Sequence, residues 1–184
     1  HSYNDGSLFE IILPLELGNY EVVTIFNDGM NSVENSTTID IGGENIDYDV
    51  SIITGWNLVG LSVNMEWPGQ LSVFPTSVEE TLFGYSESYF LTDALVPGSG
   101  YWLRFDENDS VSVSGNIINE LIISLTEGWN LIAGPSGDVS IGWAYDPDSL
   151  IVPNTMFGYN STGYAATDVL SPGYGYWIRS FSEG

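Results

Sequence analysis

Few side chains in this 184-residue sequence are equipped to carry a reaction. His1 is the one histidine, cysteine and lysine are absent, and Arg104 and Arg179 are the only strong bases. A serine or threonine nucleophile would therefore lack the neighbouring base that normally activates it. Paired carboxylates remain chemically open, as in glycoside hydrolysis. With 25 Asp and Glu residues, however, close pairs are inevitable and carry no signal. The residue inventory predicts a protein that is not an enzyme.

Only 15% of residues are charged, yet the net charge is -23, because bases are missing rather than acids abundant. Binding nucleic acid or an anionic membrane requires Lys or Arg to replace counterions, so neither is an expected partner. No stretch of about 18 apolar residues is present, so no membrane insertion is expected. A hydrophobic content of 43% and an aromatic content of 14% are enough to build packed cores. No cysteine framework exists to supplement them. The chain opens His1-Ser2-Tyr3 without an initiator methionine, which fits a larger parent protein trimmed at its front or a boundary chosen by hand.

The chemistry-bearing residues fall into a repeat. Gly55-Trp56-Asn57-Leu58 recurs as Gly128-Trp129-Asn130-Leu131, Phe83-Gly84-Tyr85 as Phe157-Gly158-Tyr159, and Thr92-Asp93 as Thr167-Asp168. Pro97-Gly98-Ser99-Gly100-Tyr101-Trp102-Leu103-Arg104 recurs as Pro172-Gly173-Tyr174-Gly175-Tyr176-Trp177-Ile178-Arg179. Order is kept while the spacing grows by two residues, as small loop insertions in a duplicated fold would produce.

Both arginines thus hold the same place in the repeat. Strand alternation puts Trp102 with Arg104, and Trp177 with Arg179, on one face, while Tyr101, Leu103 and Phe105 face the other way. The expected arrangement is a structural clasp: Arg104 against Trp102 with Asp93 as its carboxylate partner, and Arg179 against Trp177 with Asp168.

Three further features invite ligands. Trp67 and Trp143 lie where the copies differ and are the rings to expect facing a ligand such as a polysaccharide; the other repeated aromatics read as core. Asp106, Glu107, Asn108 and Asp109 cluster in one segment, and Asp146 and Asp148 in another. They are candidates for calcium, although neither matches an EF-hand spacing; no other metal or cofactor is expected. The sequons at Asn35, Asn108 and Asn160 mark exposed turns.

The elements that must position these residues read as strands. Ser51–Ile53 and Trp56–Val63 flank Thr54-Gly55, and Leu121–Leu125 and Trp129–Ala133 flank Thr126-Glu127-Gly128; both read as hairpins. Pro-Gly-x-Gly reads as a type II turn before the Tyr-Trp strand. Only Ser77–Thr81 looks helical, with Ser77 as N-cap and Glu80 completing a capping box. Residues 1–47 hold an apolar run at Leu8–Leu13, then Gly18–Phe26, a turn at Asn27-Asp28-Gly29, and Thr37–Ile41.

That last pattern resembles the closing strands of a PKD or other immunoglobulin-like sandwich. Three strands do not close such a sandwich, so the rest must come from the parent chain, from another subunit, or from packing on the repeats. The tandem Gly-Trp-Asn-Leu and Pro-Gly-x-Gly-Tyr-Trp pairing over residues 48–184 resembles repeats near the C-terminal ends of large secreted proteins of marine bacteria. Such repeats follow immunoglobulin-like domains and have no assigned chemistry.

The expected architecture is all-β: part of an immunoglobulin-like sandwich at 1–47, then two homologous small β modules at 48–118 and 119–184. The expected role is a non-catalytic structural or adhesive module of a larger cell-surface or secreted protein. Its expected partners are the rest of the parent and, through strand edges, copies of itself in filaments. The alternative is a carbohydrate-binding accessory module of a secreted enzyme.

Overall fold

The computed structural model describes residues 18–27, 32–41 and 43–184, with side chains from residue 43 onward. The chain is all-β and divides into two compact units, His1–Gly43 and Glu44–Gly184. In the first, β1 (Gly18–Asn27) and β2 (Ser32–Ile41) form an antiparallel pair whose register runs from Gly18 opposite Ile41 to Asn27 opposite Ser32. Leu8–Leu13 and the Asp28-Gly29 turn lie outside the described residues.

The second unit contains both repeats. The first copy supplies β3 (Asn45–Ile52), β4 (Gly55–Gly60), β5 (Val63–Asn64), α1 (Gln70–Val73), β6 (Phe83–Ser86), β7 (Ser88–Leu91), β8 (Gly100–Phe105) and β9 (Asp109–Ile117). The second supplies β10 (Gly128–Ala133), β11 (Val139–Ser140), β12 (Phe157–Asn160), β13 (Gly163–Ala166), β14 (Val169–Leu170) and β15 (Gly175–Ser180). Each copy builds the same four-stranded antiparallel sheet, ordered β4-β8-β6-β7 in one and β10-β15-β12-β13 in the other. In the first copy a three-stranded sheet, β3-β9-β5, lies over its inner face and encloses Val50, Leu61, Val63, Phe74, Leu103 and Phe105. The second copy packs Leu125, Ile132, Met156, Leu170, Tyr176 and Ile178. Tyr101, Leu103 and Phe105 do point inward, as alternation requires.

Neither expected local hairpin forms. β3 pairs with β9 while β4 pairs with β8, so Thr54-Gly55 is a corner between sheets. The cause is the repeated asparagine. Asn57 accepts a hydrogen bond from Ile53 N at 3.0 Å and donates to Ile53 O at 2.7 Å, occupying backbone groups that a hairpin would have paired. Asn130 does the same with Thr126, at 2.9 and 2.8 Å. Gly55 and Gly128 take φ of 93° and 94°, the left-handed region that glycine enters without cost. Leu121–Leu125 forms no strand; Leu125 instead exchanges backbone bonds with Gly184.

The helical turn also moves from Ser77–Thr81 to Gln70–Val73. Ser77 is drawn into a bridge with Phe105, Val78 N donates to Arg104 O, and Glu80 sits at φ 59°. Those backbone groups are held by β8 and cannot close a helix.

The two copies interlock about a pseudo-twofold relationship. Val59 bridges Tyr174, and the equivalent Ile132 bridges Ser99. Gly60 N donates to Gly173 O and Ala133 N to Gly98 O, both at 3.0 Å. Gly98 and Gly173 occupy the left-handed region that the type II turn needs. Gly100 and Gly175 serve a different purpose. A Cβ on Gly100 would lie 2.6 Å from Ile132 O, and one on Gly175 2.7 Å from Val59 O, so each admits the backbone of the other copy. Ser62, fully buried, donates to Gly134 O at 2.8 Å and accepts from Gly173 N at 3.1 Å.

Candidate functional site

In the Tyr-Trp-x-Arg strand, alternation sends Tyr101 and Tyr176 to the cores and Trp102 and Trp177 to the opposite face. The tyrosine hydroxyls close their own turns, accepting from Val96 N and Ser171 N at 2.9 Å. Burial pushes both above their ordinary value of 10.0. The tryptophans meet the other copy. Trp177 lies 4.8 Å from Tyr85, and Trp102 lies 4.8 Å from Tyr159, both edge to face. Leu58, Leu131 and Trp177 form the buried floor between the copies.

Around this floor the remaining rings repeat the same geometry. Tyr85 contacts Tyr89 at 5.3 Å, and Tyr159 contacts Tyr164 at 5.4 Å. Trp56 stands edge-on to Trp102, and Trp129 to Trp177, at 6.5 and 6.4 Å. Two equivalent pockets result. One, of about 470 Å³, is lined by Tyr85, Tyr89, Trp129, Phe157, Tyr164 and Trp177. The other, of about 520 Å³, is lined by Trp56, Phe83, Tyr89, Trp102, Tyr159 and Tyr164. Every lining residue is aromatic, and each pocket draws on both copies. Tyr89 and Tyr164 line both pockets, and burial raises the Tyr164 hydroxyl above its ordinary range. The Trp177 Nε1–H is buried, with the Tyr164 hydroxyl as its polar neighbour in the pocket.

The rim distinguishes the pockets. A cleft sharing Tyr85 and Trp129 with the first pocket is lined by Glu87, Glu127 and Glu183. At the corresponding places beside the second, Ser161-Thr162 turns the hairpin where Glu87 does in the first copy, Thr54 stands where Glu127 stands, and Asn108 stands where Glu183 stands, next to Glu107 and to Asp106, which pairs with Arg104.

The expected clasp residues are placed differently. Arg104 is exposed and its Nη2 lies 3.5 Å from Asp106 Oδ1, so its carboxylate partner is Asp106 and not Asp93. Asp93 and Asp168 contribute backbone carbonyls instead, accepting from Gln70 N and Ile141 N at 2.7 Å. Thr92 and Thr167 hold the same bend by accepting from Ala94 N and Val169 N. The Thr-Asp repeat is therefore a backbone device. Arg179 is exposed and stands opposite Trp129 in the β10–β15 register, as Arg104 stands opposite Trp56.

Trp67 and Trp143 are 72% and 81% exposed, as a ligand-facing role requires. They are not structurally equivalent: Trp67 precedes the residue bonded to the Asp93 carbonyl, and Trp143 follows the one bonded to the Asp168 carbonyl. Of the calcium candidates, Asp106 faces Arg104, and Asp109 accepts from Thr76 Oγ1 at 2.7 Å, which holds its carboxyl below the ordinary range. Asp146 caps its loop by accepting from Leu150 N and Ile151 N, and Asp148 lies exposed in the same loop. Among the described residues, no three acidic or histidine side chains gather as a metal site.

The repeated rings were expected in the core, yet Trp56 and Trp129 are 42 and 43% exposed. The available signal was their place on strands whose alternate residues already fill the core. Compared with known protein families, curated proteins and solved structures, the chain matches none. No helix among the described residues is long and apolar enough to cross a membrane.

Proposed function

We propose that this chain is a non-catalytic structural and adhesive module of a larger extracellular or cell-surface protein. The observation that carries this reading is the reciprocal seating of the two copies. Paired backbone bonds, glycines that admit the opposite strand and a shared aromatic floor make one body from a duplicated unit. Such a body resists being pulled apart at the join, as a load-bearing segment must. The acidic surface keeps it soluble and supports a role in salty surroundings.

Single-molecule stretching of the full chain tests this reading. One rupture event releasing Glu44–Gly184 together is the expected result; two smaller independent events would count against it. β7 and β13 end their sheets, and β7 is exposed along its length, so copies could also associate edge to edge into filaments. Negative-stain microscopy showing only monomers at high concentration would remove that part.

A carbohydrate-binding role is the second reading, favoured by the exposure of Trp67 and Trp143. It requires saturable retention on a glycan array that Trp67→Ala or Trp143→Ala abolishes.

A further inference from the structure

We infer that the Trp129 pocket binds a quaternary ammonium group, and that its acidic rim makes it the cation-selective member of the pair.

Three observations lead there. First, the lining is wholly aromatic, and its rings stand steeply to one another: 76° between Tyr85 and Trp177, 84° between Tyr89 and Trp177, and 90° between Trp129 and Trp177. This is a box and not a flat platform. A sugar needs an open ring face together with several hydrogen-bonding groups, whereas here the only polar atoms are tyrosine hydroxyls and indole N–H groups.

Second, aromatic rings attract cations through their quadrupoles, most effectively when the cation is desolvated. A primary ammonium carries three N–H donors and is strongly hydrated, so a pocket poor in acceptors strips it at a high cost. A trimethylammonium group has no N–H to satisfy. It presents apolar methyls to the rings while keeping its charge.

Third, the charge around the pocket has the right sign and differs between the two pockets. Glu87, Glu127 and Glu183, all exposed, flank Trp129 and Tyr85, against the single positive charge of Arg179 on the strand paired with Trp129. The second pocket has Ser161-Thr162, Thr54 and Asn108 at the corresponding places; on that side Arg104, on the strand paired with Trp56, is matched by Asp106, with Glu107 beside it. The rings are therefore duplicated, whereas none of the three glutamates is kept at its equivalent position.

The test is calorimetric titration of the full chain with choline and with its neutral isostere 3,3-dimethylbutan-1-ol. Choline should bind saturably and about tenfold more tightly than the alcohol, an advantage that shrinks as salt rises. Glu87→Gln, Glu127→Gln and Glu183→Gln combined should lose most of that advantage; these exposed changes leave the fold intact. Trp129→Ala should abolish choline binding, while Trp56→Ala should spare it. A trimethyl-lysine peptide, run alongside, distinguishes a protein-borne group from a small free one, according to which binds more tightly. Equal affinity for choline and the alcohol, or loss of choline binding on Trp56→Ala alone, would overturn the assignment. So would retention of full affinity by the triple Gln variant.

Discussion

Tyr85 of one copy and Trp177 of the other stand with ring centroids 4.8 Å apart at 76°, and Tyr159 and Trp102 reproduce the pair at 4.8 Å and 78°. Edge-to-face pairs contribute about 0.5 to 1.5 kcal/mol beyond the area they bury. A double-mutant cycle with Tyr85→Leu and Trp177→Leu should therefore give a coupling of about 1 kcal/mol, measured by denaturant unfolding. Additive effects would mean that the rings are only neighbours.

Ser62 joins the copies with a hydroxyl that both donates and accepts in a buried place. Ser62→Ala leaves Gly134 O and Gly173 N without that partner and should cost about 1 to 3 kcal/mol. Urea denaturation followed by tryptophan fluorescence would measure the loss, and a change under about 0.3 kcal/mol would contradict it.

The repeat glycines should separate into two classes. Gly100→Ala and Gly175→Ala press a methyl into the backbone of the other copy and should cost several kcal/mol or prevent folding. At Gly55 and Gly128 an added Cβ meets nothing within 4 Å, so alanine there costs only the left-handed strain, about 1 kcal/mol. Similar melting temperatures for Gly55→Ala and Gly100→Ala would contradict the assignment.

Much of this fold is readable from the sequence, and what is not has a definable cause. Alternation alone separated Tyr101, Leu103 and Phe105 from Trp102 and Arg104, and the structure turns the first three into the core. Partner choice is a different matter. Gly55-Trp56-Asn57-Leu58 carries the period of a strand, but whether it pairs with β3 nearby or with β8 far along the chain depends on non-local closure. The Asn57 side chain decides it by occupying Ile53. Likewise the repeated Asp93 and Asp168 invited an ionic role, because a sequence shows carboxyl groups and hides which backbone carbonyls are in use. The pockets were missed for a related reason: each is assembled from both copies, and no single repeat contains one.

Alkaline pH should destabilise the second unit. Burial raises the hydroxyls of Tyr48, Tyr101 and Tyr176 above 10.0, so the folded chain holds these protons more tightly than the unfolded one. Their contribution is complete below pH 10 and declines as pH rises through the raised values. The melting temperature should thus fall above about pH 10. Tyr101→Phe with Tyr176→Phe should start lower at neutral pH, having lost the bonds from Val96 N and Ser171 N, yet fall less steeply. An unchanged alkaline slope would refute the assignment to these groups.

Arg104→Lys should change stability by under about 1 kcal/mol, because the ion pair with Asp106 is solvent-exposed on both sides. Thermal melts of the two proteins decide it. A large drop would restore a clasp role for the guanidinium.

At the join Gly60 of one copy faces Ala133 of the other, where a second methyl would not fit. Two separate subunits built this way would associate only above their dissociation constant. On one chain each copy sees the other at a fixed effective concentration set by the connecting segment, so dilution cannot part them. Freed from strict symmetry, the halves can also diverge in sequence at their rims without losing their grip on one another.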